Sequence, residues 1–142
     1  GAPERPVTRK TTEQVFFNSN IAPQDSSNFN NGGGAWNNLE SFVDAQVCAD
    51  TTYIVVGTYF EPFTDAYGKS CTSSKIDFGG RSDVSRPSMF YYLLLRTKNG
   101  NTKKSVMDCA ASELKCAAFV LRQNMDKGHE PQAKDIMSMA DI

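Results

Sequence analysis

From Ile21 to Gly34 the chain is so rich in Asn, Ser and Gly, with Pro23 and the triplet Gly32-Gly33-Gly34, that no regular element can survive there. The segment after Gly34 has the opposite character. Trp36, Leu39, Phe42, Val43 and Val47 recur at helical spacing, which predicts an amphipathic helix over residues 35–48 with one face in the core. Whatever fold the chain adopts must therefore carry a long polar loop that opens directly into a core-packed helix.

The remaining apolar residues come in short runs suited to strands. Residues 1–12 are rich in Pro, Arg and Thr and read as an irregular lead-in. Gln14-Val15-Phe16-Phe17-Asn18-Ser19-Asn20 suits a strand ending in turn formers. Tyr53 to Phe60 is too short and too β-branched for a helix and predicts a buried strand. A polar excursion runs from Glu61 to about Ser85, of a length that is usually functional or mobile. Ser88 to Arg96 is the next strand, closed by the hairpin signal Lys98-Asn99-Gly100-Asn101, and Ala117 to Leu121 is the last, with a turn over residues 124–129 beyond it. The order of strand, loop, helix and further strands implies an α+β fold on a mainly antiparallel sheet.

With 142 residues and 39% hydrophobic content, the chain can bury one core, so residues 1–142 are expected to form a single domain. No apolar run approaches the roughly 20 residues a membrane-spanning helix requires, and no membrane span is expected. A net charge of -1 excludes a protein held on nucleic acid by bulk positive charge, although a local basic cluster with a metal ion could still serve. Cys48, Cys71, Cys109 and Cys116 form no CxxC pair, and His129 is the sole histidine, so no usual zinc spacing is present. Two disulfides are the expectation, which favours a secreted or periplasmic setting; buried thiols are the alternative.

Ligand-type side chains are densest from Asn20 to Glu40. Mg²⁺ takes oxygen ligands and keeps most of its waters, so one amide oxygen beside a carboxylate is a sufficient minimal site. The same residues also suit a glycine-loosened surface loop in which Asn supplies turns and caps.

Ser19-Asn20-Ile21-Ala22-Pro23-Gln24, then Phe29-Asn30, then Gly34-Ala35-Trp36-Asn37-Asn38-Leu39-Glu40 resemble the signature of the DNA/RNA non-specific endonucleases, the ββα-metal nucleases. Val55-Val56-Gly57-Thr58, Arg86 to Tyr91 and Ala117 to Leu121 are similar to that family's later strands. The resemblance implies a ββα-metal fold with a metal-site helix and Mg²⁺-dependent cleavage of DNA and RNA, with Mn²⁺ as another possible cation. It implies that Asn30 ligates the metal and that Glu40, the helix glutamate, orients water in the metal's shell. These are the two catalytic candidates. Two extra residues before Trp36 leave Asn31 a competitor for the metal.

Asn20, Gln24 and Trp36 match supporting positions, with Asn20 and Gln24 expected to brace the loop by hydrogen bonds. Arg5, Arg9 and Lys10 are candidate nucleic-acid contacts or solvated charges. Where the family often carries a basic residue one turn beyond the glutamate, this chain has Asp44. The family's general base is the histidine of an Asp-Arg-Gly-His motif with Ala-Pro close behind it, and this chain opens Gly1-Ala2-Pro3, as if the motif ended just upstream. His129 is expected to be an ordinary surface residue. A catalytically inactive, nuclease-derived binding domain is the alternative function, and an exposed sheet edge would seek a complementary chain of the same precursor or a second copy in a homodimer.

Overall fold

The computed structural model describes residues 21–138 and 140–141. The expected strand over residues 14–20, and with it Asn20, Arg5, Arg9 and Lys10, lies outside the described residues.

The core is a three-stranded antiparallel sheet in the order β1 (Tyr53–Tyr59), β6 (Met89–Thr97), β7 (Leu114–Arg122). Helix α1 (Ala35–Asp44) lies against one face of it. Trp36, Leu39 and Val43 pack on Phe90, Tyr92 and Leu94 of β6 and Phe119 and Leu121 of β7. Those strand residues alternate along their strands and so share one face. The opposite face buries Met89 and Val120 against Phe63, with Tyr91 and Met137 beside them.

The helix is shorter than its pattern. After Asp44 the backbone tightens, Gln46 N donating to Val43 O and Val47 N to Asp44 O, and Val47 stays outside the core. The β1 strand is where its composition predicts it but is not buried: Val55 is 54% exposed and Val56 48%. The reason is size. A helix of roughly 10 Å diameter covers about two strands spaced about 4.8 Å apart, and α1 sits over β6 and β7.

The excursion over residues 61–85 is also ordered. It folds into two hairpins, β2 (Phe63–Thr64) with β3 (Ser70–Cys71), and β4 (Ser74–Phe78) with β5 (Arg81–Arg86). Gly79 and Gly80 connect β4 to β5 at φ +62° and +81°, the mirror-image turn that matches strand twist. Asp65 closes the first hairpin by accepting from Tyr67 N and Lys69 N, and its other oxygen binds buried Arg122 at 2.6 Å.

The Asn99-Gly100 turn forms, yet it does not close a tight hairpin. Beyond it, Asp50 captures the chain by accepting from Thr102 N, Thr102 Oγ1 and Lys103 N, and β7 begins only at Leu114. The expected disulfides are not formed: all four cysteines are free thiols, with Cys71 buried. No helix among the described residues is long and apolar enough to cross a membrane.

Candidate functional site

The Asn-rich stretch is irregular, as its composition requires, but firmly held. Phe29 is fully buried, its ring 5.6 Å from Trp36 and 5.2 Å from Phe90. Trp36 N donates to Phe29 O and Ala35 N to Asn28 O, so the loop is stitched to the first turn of α1. Gly34 makes that approach possible, because a Cβ there would lie 2.4 Å from Phe29 O. Asp25 organises the preceding turn, its side chain accepting from Ser27 N and Asn28 N and its carbonyl from Asn30 N.

This anchoring leaves Asn30, one residue after Phe29, exposed on the outer wall of the loop. Its side-chain amide has no hydrogen-bond partner among the described residues. Asn31 differs: its Oδ1 accepts from Gly32 N at 2.8 Å and is engaged by its own turn. On the helix, Glu40 Oε1 accepts from Trp36 Nε1 at 3.0 Å. Burial raises the Glu40 pKa above its ordinary value, the Trp36 hydrogen bond acts against this, and nearby Asp44 adds to it. The carboxylate is thus tied to Trp36, and the free amide follows Phe29 in the chain, the two residues whose rings stack. Among the described residues no cluster of three or more His, Cys, Asp or Glu could hold a metal, so any cation here would depend on few protein ligands.

The bracing expected of Gln24 is carried by another residue. Gln24 lines the cleft beside the loop and makes no side-chain hydrogen bond among the described residues. Gln123, fully buried at the end of β7, braces the loop instead: its Oε1 accepts from Asp25 N and its Nε2 donates to Pro23 O, both at 2.8 Å. No sequence signal marks it beyond a polar residue at the end of an apolar strand. His129 is likewise not a free surface residue. Its Nε2 lies 2.8 Å from Asp135 Oδ2, and its ring meets Tyr67 edge-on. Its carbonyl accepts from Asn38 Nδ2 and Gly128 N donates to Gly33 O, so this turn supports the back of the loop and helix.

The sequence profile of the DNA/RNA non-specific endonucleases matches residues 2–134. The chain belongs to that family. Within the family it is similar to human mitochondrial nuclease EXOG, 28% identical over 140 residues, a match covering 94% of this chain and 33% of the relative. Its fold is that of a chain in the crystal structure of the EndoG/EndoGI complex, solved for the mechanism of EndoG inhibition. That match has a TM-score of 0.65 at 21% identity and covers 96% of this chain and 50% of that one. The chain therefore spans a third of the length of the one match and half of the other. The mainly antiparallel sheet and single described α-helix agree with the ββα-metal nuclease fold expected from the loop and helix motifs.

Proposed function

We propose that this chain carries the metal-binding part of a sequence-nonspecific endonuclease that hydrolyses phosphodiester bonds of DNA and RNA with Mg²⁺, or another divalent cation such as Mn²⁺. The observation that carries the reading is the contrast between neighbouring amides: Asn30 presents an unengaged one, whereas Asn31 commits its oxygen to Gly32 N. Asn30 would hold the cation and Glu40, steadied by Trp36, would fix the surrounding waters. The donor set fits Mg²⁺, which accepts one or two protein oxygens and retains water. When bound, the cation stabilises charge on the phosphate and the leaving oxygen.

The chain's own residues supply placement. Phe29 and Gln123 fix the loop, and the Trp36 N–H fixes the carboxylate. The general base would be a histidine from sequence outside these residues, because the His129 turn supports the back of the loop and helix, its carbonyl accepting from Asn38 Nδ2. We also propose a secreted or periplasmic location, testable by cell fractionation.

The test is degradation of plasmid and RNA with Mg²⁺ or EDTA, comparing this chain with a form extended upstream by an Asp-Arg-Gly-His-containing segment. The expected result is cutting by the extended form alone, abolished by EDTA and by Asn30→Ala. If neither form cuts, the alternative holds: an inactive, nuclease-derived binding domain, which His129, the sole histidine and already engaged, would favour.

A further inference from the structure

The candidate site opens into a cleft of about 800 Å³ between the Asn-rich loop and the β4–β5 hairpin. Ile21, Gln24, Asn30 and Asn31 line one wall, and Ile76 and Val84 face them from the hairpin. Ile76 and Val84 pair directly across the ladder, so the hairpin contributes a compact apolar patch. The next same-face pair towards the base of the hairpin is Ser74 with Arg86, since strand side chains alternate with period two.

Arg86 is half-buried, and its Nε is shut off from solvent with no hydrogen-bond partner. Its side chain has no ion pair among the described residues, whereas Arg81 pairs with Asp83 and Arg122 with Asp65. The hairpin base is tied to the loop, because Gln123 Nε2 donates to both Pro23 O and Pro87 O. Arg86, adjacent to Pro87, starts beside that junction; it stands at the margin of the cleft and is not one of the residues lining it, and its Nη atoms, not the enclosed Nε, are the ones a phosphate could reach.

A partly desolvated guanidinium without a counter-charge is unfavourable unless an anion completes it, and its planar fork suits phosphate. The apolar patch offers a surface for the face of a base, and the loop amides offer donors and acceptors for its edge. On α1 the position one turn beyond Glu40 is Asp44, so positive charge near the site has to come from another element.

We propose that this cleft holds one unpaired nucleotide of the substrate strand next to the metal site, its base against Ile76 and Val84 and its phosphate on Arg86. The proposal takes its substrate class from the nuclease reading. It implies a preference for single-stranded or locally opened nucleic acid, because a stacked, paired base cannot enter the cleft.

Binding is measured on the full chain in EDTA, without catalysis, as the anisotropy of a fluorescein-labelled oligothymidylate at several KCl concentrations. Arg86→Gln should weaken binding about tenfold and lower the slope of log K against log salt by about 0.7, the value for one phosphate contact on a single strand. Arg86→Lys should keep the slope. Val84→Asn should weaken binding with the slope unchanged, and Arg81→Gln should do neither. An Arg86→Gln protein with native circular dichroism and wild-type affinity and slope overturns the proposal, as does a wild-type chain that binds no oligonucleotide. If Asn30→Ala stops cleavage by the extended form while Arg86→Gln leaves binding alone, only the cleft proposal fails. Arg86-dependent binding by a protein whose extended form never cuts removes only the nuclease reading.

Discussion

Glu40 connects the local physics of the site to a measurable signal. Although Glu40 is exposed on the helix, partial desolvation of its carboxyl group disfavours the carboxylate and raises its pKa, so the fold modestly favours the protonated acid. For a raised pKa, the stabilisation is fully present below the unfolded value and is lost as pH rises through the folded one. The wild type should therefore lose stability over a pH range above the usual glutamate titration, and Glu40→Gln should remove that loss, as read by thermal unfolding at a series of pH values. Trp36 is the sole tryptophan and donates to Glu40, so its fluorescence should titrate over the same range and stop doing so in Glu40→Gln. Gln123 is the other residue with a sharp expectation. Replacing it by Leu removes the partner of Asp25 N and Pro23 O and the longer contact to Pro87 O, and unfolding in urea should show a loss of about 2–6 kcal/mol, the cost of at least two unsatisfied groups.

At the level of elements, the loop depends on packing more than on its own turns. Phe29→Ala removes a fully buried ring that touches both α1 and β6 and should cost about 3–5 kcal/mol by urea unfolding. The β2–β3 hairpin is held differently, by the buried Asp65–Arg122 pair. Burial acts to raise the Asp65 pKa, but the Lys69 N–H and the Arg122 guanidinium more than offset it, and the net shift is downward. A lowered carboxyl pKa gives stability that is present above the unfolded value and is lost as pH falls through the folded one. Asp65→Asn should therefore destabilise by about 3–5 kcal/mol near neutrality, as expected for breaking a buried pair, and the deficit should shrink in acid.

Among the described residues the sheet is unbalanced. The outer edge of β7 is bridged by Ile136, whereas β1 is the outermost described strand on the other side, with Tyr53, Ile54, Val55 and Val56 all exposed. Apolar residues exposed on both faces of an edge strand mark a surface that pairs with further chain. The expected outcome is concentration-dependent self-association of the isolated chain in analytical ultracentrifugation, suppressed by Val55→Lys. A wild type that stays monomeric at every concentration would remove the homodimer and leave a complementary chain as the partner, and self-association unaffected by Val55→Lys would place the contact away from β1.

Much of this architecture is written in local pattern. The apolar period of residues 35–43 specifies α1, the short apolar runs, β-branched in β1 and aromatic- and Leu-rich in β6, specify the strands, and the Gly-rich composition specifies the loop, because each depends on neighbours within a few residues. The loop-to-helix motif carries the family resemblance for the same reason: Phe29, Asn30, Trp36 and Glu40 lie within one short segment. Everything that depends on distant partners escaped the sequence. Gln123 holds Asp25 across 98 residues, Asp50 captures Thr102 across 52, and Arg122 binds Asp65 across 57. The exposure of β1 comes from the reach of a helix over a sheet. The unpartnered state of Arg86 comes from which side chains the fold brings near it. Composition and periodicity determined which elements form; tertiary structure decided which side chains are held, which are left open and where the cleft lies, because those are properties of pairs far apart in the chain.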